Sequence, residues 1–560
     1  MSTPQKIRSL ATKPISLALG LNLLFLALCL FFGELHYGVL DDYGMAAILS
    51  GAHGTGYNVH TYFVNVLYGY MLLPLYHLFP KISWYYVGEM TQVFCCFTLI
   101  AYILIQKTAR TWGVLLSSIL IAFFCGDFYL QVQFTQCAAL LTATGMMGFI
   151  WGITERKNFV TALGCILVLG GSIMRWDAFF MGLPFLGVTA LVQYRDCVKN
   201  YKRILIYAGI CALAIYGAKA IDQQHYTSPE YKLYKDFQGP RSAIGDGSDY
   251  DRQAVEADIL ADGKSVEDFD MLRQWKFYDT EVFAVDSIKA YVNYTYKHKK
   301  KFPLQEIPSK LLSLLYDSAR HYLCWIFFIF GIIILATNPR RGTFPWAILA
   351  VSLAMLGYLL SINRVVLRVE NGLWIYAALL SIPQFEQIKI PVQNRIAFFQ
   401  SHRNRKILAA SAITLIAIVT SYNITKMPSF QKKQDVYDKV FEYIESRPNT
   451  MFLLSMPQYS MFAAHKKPAY LAEPIGEFRR TVCTGFWTPY LPDITQALKD
   501  FGITNPIKEV VNDNVLVVGD KGLDAFLQRH YYDSISVRLE TSFDNVYIYK
   551  YSIYNPEETK

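Results

Sequence analysis

The chain has 560 residues, 53% hydrophobic and 17% charged, with a formal charge of +9. Soluble domains carry about 25% charged residues, so the composition excludes an ordinary soluble enzyme and points to a polytopic membrane protein with some polar mass outside the bilayer. The basic residues cluster between apolar runs, and no basic array or recognition helix is present. The excess charge therefore reads as topology information, which excludes a nucleic-acid partner.

Span one is expected at 14–33. Lys6, Arg8 and Lys13 place its start in the cytoplasm, and Gly20 to Gly33 offers no small-x-small cleavage site, so it reads as a retained anchor. The exported loop 34–83 holds two weaker apolar segments, 41–52 and 62–79. Counting the second as a span would put Lys107 and Arg110 outside and reverse every later loop, so both are expected to lie in the interface. Spans two to seven follow at 84–106, 113–125, 134–153, 159–174, 178–192 and 204–220. Spans eight to eleven follow at 321–337, 344–362, 373–385 and 407–421. The basic turns around Lys107, Lys157, 199–203, Arg340 and 389–406 then all fall inside.

The fold class is thus mainly α, with about eleven transmembrane helices, the N-terminus cytoplasmic and the C-terminus exported. The location is the inner (plasma) membrane. Residues 1–423 form the membrane domain, with a second exported loop at about 221–320. In that loop, Gly239-Pro240 and Asp262-Gly263 signal turns, and Ser265 to Asp268 opens a helix with a capping-box pattern. Residues 424–560 form a small exported α/β domain. Its expected helices are 436–446, 494–501 and 523–530, and its expected strands are 451–454, 515–518 and 546–551. No dinucleotide or phosphate-loop pattern occurs. Of the ten cysteines, Cys483 alone lies in that domain, and no pair has metal-site spacing.

Ionisable groups near membrane level tend to mark function. Those expected to share the exported face are Asp41, Asp42, Glu89, Asp127, Arg175, Asp177, Arg364, Arg368 and Glu370. Asp41 and Asp42 follow the first span. Adjacent carboxylates raise one another's pKa, and a base poised near working pH can deprotonate an acceptor hydroxyl; the plain alternative is a helix N-cap. Arg364 and Arg368 share one face if their segment is helical, and guanidinium suits bidentate phosphate contacts. The alternative there is an ion pair with Glu370 or a lipid headgroup. Arg175 and Asp177 read either as a mutual structural pair or as substrate-orienting charges. Asp127 and Glu89 read as structural acids or as ligands of a substrate hydroxyl. His53 and His60 flank the Gly-rich loop after the acid pair and match no metal motif with it, so no cofactor is expected; a divalent cation there is the weaker alternative. The triplet Asp268-Phe269-Asp270 reads as a solvated helix face. The 39 tyrosines suit interface belts and, secondarily, stacking on sugar rings.

The order of parts resembles the GT-C superfamily of integral-membrane glycosyltransferases. An acid pair, here Asp41-Asp42, follows the first span; an exported loop with interface helices, further spans and an exported C-terminal domain come after. The resemblance implies a polyprenyl-phosphate or polyprenyl-pyrophosphate sugar donor and a glycan, lipid or protein acceptor. It implies hexosyl or pentosyl transfer, with Asp41 (and less directly Asp42) as base and Arg364 and Arg368 as phosphate ligands, in the building of cell-envelope polysaccharide. Arg175, Asp177, Asp127, Glu89 and His60 complete the expected substrate-binding set. Two other readings compete. A cell-envelope oligosaccharide polymerase or ligase needs no acid pair after span one. A lipid-linked-sugar transporter or flippase would show internal repeats and charges near the midplane.

Overall fold

The computed structural model describes residues 13–245, 249–300, 303–320, 324–385, 402–426, 431–465 and 468–554. Residues 389–401 of the expected basic segment 389–406 lie outside them, as does the start of the expected span 321–337.

Helix α1 (Pro14–Phe32) is apolar on all sides, as a bilayer span requires. The chain then forms β1 (His36–Tyr37), α2 (Leu40–Leu49) and α3 (Val66–Leu78). With 13 residues, α3 reaches only ~20 Å and is too short to cross a hydrocarbon core of ~30 Å. Next come α4 (Trp84–Lys107), α5 (Arg110–Cys125), a π-helical turn (Gly126–Leu130), β2 (Gln131–Val132) and α6 (Phe134–Thr154). The bundle continues with α7 (Asn158–Met174), α8 (Trp176–Val192), α9 (Tyr194–Lys199) and α10 (Tyr201–His225). The long polar loop carries α11 (Pro229–Gly245), α12 (Arg252–Ala261), α13 (Val266–Arg273) and α14 (Val285–Lys297). Then follow α15 (Ile307–Arg320), α16 (Trp325–Thr337), α17 (Thr343–Ser361), α18 (Leu367–Ser381) and α19 (His402–Thr425).

Among the described residues, six helices are long and apolar enough to cross a membrane, or seven if the bent pair Leu304–Arg320 and Trp325–Thr337 makes one span. The other expected spans fall on shorter helices: α7, α8, the Ala409–Thr425 part of α19, and α18. From Glu370 onward α18 is buried, packed against α6, α8 and α16 rather than facing lipid. Apolarity alone does not separate a span from a helix in the middle of a bundle.

The C-terminal part holds α20 (Gln431–Glu445), β3 (Met451–Leu454), α21 (Met456–His465), β4 (Thr481–Cys483), α22 (Pro492–Asp500), β5 (Val515–Val518), α23 (Asp524–His530), β6 (Ile535–Phe543) and β7 (Val546–Ile553). Its sheet runs β4-β3-β5-β7-β6, with β4, β3 and β5 parallel and the β6–β7 hairpin antiparallel. The parallel strands β3 and β5 are continuous apolar runs buried on both faces. That explains why they are plain in the sequence. The three-residue strand β4 and the polar, half-exposed β6 were not among the expected strands.

Two expectations in the long loop change. Gly239-Pro240 is not a turn but lies inside α11, whose face Phe237, Gln238, Arg241 and Ile244 is buried. Packing of that face outweighs the backbone hydrogen bond that a proline removes. The triplet Asp268-Phe269-Asp270 is not solvated either. Asp268 is buried, with its carboxylate 2.7 Å from Arg529 and 2.9 Å from His530 of α23, while Asp270 pairs with Arg252. Half of the capping box forms: Ser265 Oγ accepts from the Asp268 amide at 3.2 Å, while the Asp268 carboxylate turns to α23.

Candidate active site at the acid pair

The segment entering α2 is clamped in place. Strands β1 and β2 pair in parallel, His36 with Gln131 and Tyr37 with Val132, and the Gly38 amide donates to the Val132 carbonyl at 2.7 Å. This brings the start of α2 against the start of α6. Met45, Ile48 and Leu49 are buried behind it, and burial of such side chains contributes about 1.5–3 kcal/mol each. Helix α2 is therefore a rigid support.

The two acids have different surroundings. Asp42 is fully buried, and its Oδ1 accepts from the Tyr85 hydroxyl at 2.9 Å and from the Phe134 amide at 3.0 Å. It ties α2 to α4 and to the first turn of α6, where an acidic group also meets the positive end of the helix. Burial pushes its carboxyl well above the usual carboxylate range. Asp41 is only partly buried, and its Oδ1 accepts from the Trp487 indole N–H at 3.0 Å. Burial raises its pKa too, opposed by the charges of Arg368, Arg241 and Arg175 and by the Trp487 bond. One acid is bonded wholly within the fold; the other, held by the Trp487 indole, is partly exposed and lies within electrostatic reach of three guanidinium groups.

These cations come from three places. Arg368 is the second residue of α18, with no hydrogen bond or ion pair among the described residues. Arg175 sits at the junction of α7 and α8, where an extended backbone (φ −156°) separates two helix ends. Its guanidinium lies 3.2 Å from Asp177 and against the rings of Phe63 (5.5 Å) and Phe134 (5.3 Å). Arg241 is buried on α11, donates from Nε to Gln238 Oε1 at 3.0 Å and lies over Trp275.

The remaining expected residues divide. Arg364 does not share a helix face with Arg368: α18 begins at Leu367, the chain turns at Asn363 with φ +53°, and Arg364 is exposed. Glu370 is buried and accepts from the Ser318 hydroxyl. Asp177 is exposed beside Arg175. Glu89 is wholly buried on α4, within electrostatic reach of Asp42, and does not line the open side of Asp41. Asp127 lies on the π-helical turn and pairs with Lys426 at 3.3 Å. His60 stacks on Tyr231 at 3.7 Å and bonds Asn58 through Nδ1 at 2.9 Å. Burial, with the nearby His225 charge, lowers its pKa to about 4. His53 is buried beside Phe478. Neither histidine meets the acids, and among the described residues no group of three His, Cys, Asp or Glu could hold a metal ion.

Arg241, Gln238, Tyr85 and Trp487 were not expected here. Arg241 and Gln238 flank the Gly-Pro pair that read as a turn, and Trp487 lies over 440 residues from Asp41 in the chain, so no local pattern links them. A pocket of about 50 Å³ adjoins the site, lined by Tyr62, Phe63, Trp176, Lys219, Asp222 and Lys235. Phe63 is its shared wall, packed edge-on against Trp487 at 5.2 Å.

Fold and site define a polytopic membrane protein with an acid–arginine centre where its helices meet the C-terminal α/β domain. No family model matches the chain, and no curated protein matches it. Among solved structures it is similar to ArnT from Cupriavidus metallidurans. For the apo state the TM-score is 0.43 and the identity 10%, covering 95% of this chain and 97% of that one. For the same protein bound to undecaprenyl phosphate the values are 0.40 and 8%, covering 94% and 97%.

Proposed function

We propose that the protein is a membrane glycosyltransferase that moves a sugar from a polyprenyl-phosphate or polyprenyl-pyrophosphate donor to an acceptor hydroxyl on the exported side. The observation that carries this reading is the division of labour at the acid pair. Asp42 is committed to the fold, while Asp41 is open and faces Arg368, Arg241 and Arg175 from separate elements.

The lipid tail of the donor lies in the bilayer, and its phosphate meets the arginines. Their charge stabilises the leaving phosphate as the anomeric carbon acquires oxocarbenium character. Asp41 takes the proton of the acceptor hydroxyl. Attack from the face opposite the phosphate inverts the anomeric carbon.

The test is incubation of the purified protein with a panel of radiolabelled polyprenyl-phosphate sugars, scoring release of the carrier. Asp41→Asn should lower transfer by about 10²–10⁴-fold, the usual contribution of a general base. Full activity of a folded Asp41→Asn protein removes the reading.

A further inference from the structure

The loop between β4 and α22 is held in a costly shape. Phe486 (φ +68°) and Tyr490 (φ +65°) both adopt the left-handed conformation, which L side chains avoid and which persists only where surroundings enforce it. The enforcement is visible. The Thr484 carbonyl accepts from the amides of Phe277 (3.0 Å) and Tyr278 (2.9 Å), and the Trp487 carbonyl accepts from Gln238 Nε2 at 2.8 Å. Gly485 meets the Trp275 carbonyl so closely that an added Cβ would lie 1.9 Å from its oxygen. On the other side, a Cβ on Gly44 of α2 would stand 3.0 Å from both Phe486 and Trp487. The result is that a buried indole from the C-terminal domain reaches Asp41.

A buried tryptophan usually finds an acceptor for its N–H, and a backbone carbonyl would serve. Here the acceptor is the partly exposed carboxylate of Asp41. We infer that Trp487 is a positioning residue for the base: its N–H holds Asp41 Oδ1 and leaves Oδ2 to take the acceptor's proton, so the C-terminal domain completes the active site. This rests on Asp41 being the base. The indole donates and cannot accept, so it favours the ionised carboxylate. Gln238 links the same loop to Arg241, so one chain of bonds runs from a phosphate-facing cation to the base.

The groups facing Asp41 are Asp42 on α2, Arg368 on α18, Arg241 on α11 and Arg175 at the α7–α8 junction. A change confined to the Trp487 N–H leaves all of them in place. The experiment replaces Trp487, in the full chain in detergent, by its isostere with sulfur in place of the indole nitrogen. The aspartates carry a carbon-13 label, and the Asp41 carboxyl band is identified in the infrared by its loss in Asp41→Asn. Losing a donor to a carboxylate should raise the Asp41 midpoint by about one pH unit. In the carrier-release assay kcat should fall, with its acid limb displaced the same way and the donor KM unchanged. Trp487→Phe should shift the midpoint in the same direction. An unmoved midpoint in the folded isostere protein overturns the inference. Full transfer by Asp41→Asn overturns the base assignment instead, and the two outcomes are read independently.

Discussion

At the scale of single residues, the neighbouring acids are chemically alike and differ in their partners. Burial places the Asp41 carboxyl above its ordinary range, and a general base works only when ionised. The rate should therefore fall as pH drops through a value higher than the usual carboxylate range, which a kcat/KM–pH profile reads directly. Asp42 should show itself in stability. Asp42→Ala leaves the Tyr85 hydroxyl and the Phe134 amide without their buried acceptor, a loss of about 1–3 kcal/mol. Because burial raises the folded pKa of Asp42, the folded protein binds that proton more tightly than the unfolded chain. Its contribution is fully present near and below the unfolded value of about 3.9 and is lost as pH rises through the folded one. Asp42→Asn removes that slope, so melting of the two proteins from pH 4 upward should diverge in favour of the asparagine variant. The acid pair was legible because two adjacent carboxylates after a span are conspicuous. Which of the two is open was not, since exposure depends on Trp487, Tyr85 and Phe134, all remote in the chain.

At the scale of elements, the start of α18 decides which arginine can serve. Arg368 lies in its first turn, close to the acids, whereas Arg364 precedes the helix and is exposed. Arg368→Ala should raise the donor KM about tenfold or more, the value of a charge-assisted phosphate contact, and Arg364→Ala should leave it unchanged in the same assay. A spacing of four suggested a shared face, but spacing carries that meaning only inside a helix. The α13–α23 contact is a second element-scale feature. Asp268 is buried against the partly exposed Arg529 and His530, so Asp268→Ala should cost about 1–3 kcal/mol and open the 249–300 segment to limited proteolysis. Here an apparently polar helix face hides a buried anchor, because its partner lies about 260 residues further on.

At the scale of the whole molecule, the acids and three arginines converge where the helical bundle, the long loop and the C-terminal domain meet. A reporter fused after Lys107 should register as cytoplasmic and one at the C-terminus as exported. The opposite result at both would place Asp41 on the cytoplasmic face, away from an exported acceptor. The apolar runs, the position of α1, the presence of helices within 41–52 and 62–79, and the buried strands β3 and β5 were all readable by residue order, because hydrophobic length and periodicity are local properties of a chain. Tertiary structure alone decided that α18 is packed within the bundle, that the Gly-Pro pair lies inside a helix, and that Trp487 and Arg241 stand beside Asp41. Those outcomes depend on which surfaces are buried against one another, and burial of one segment by another distant in sequence leaves no mark in the order of residues.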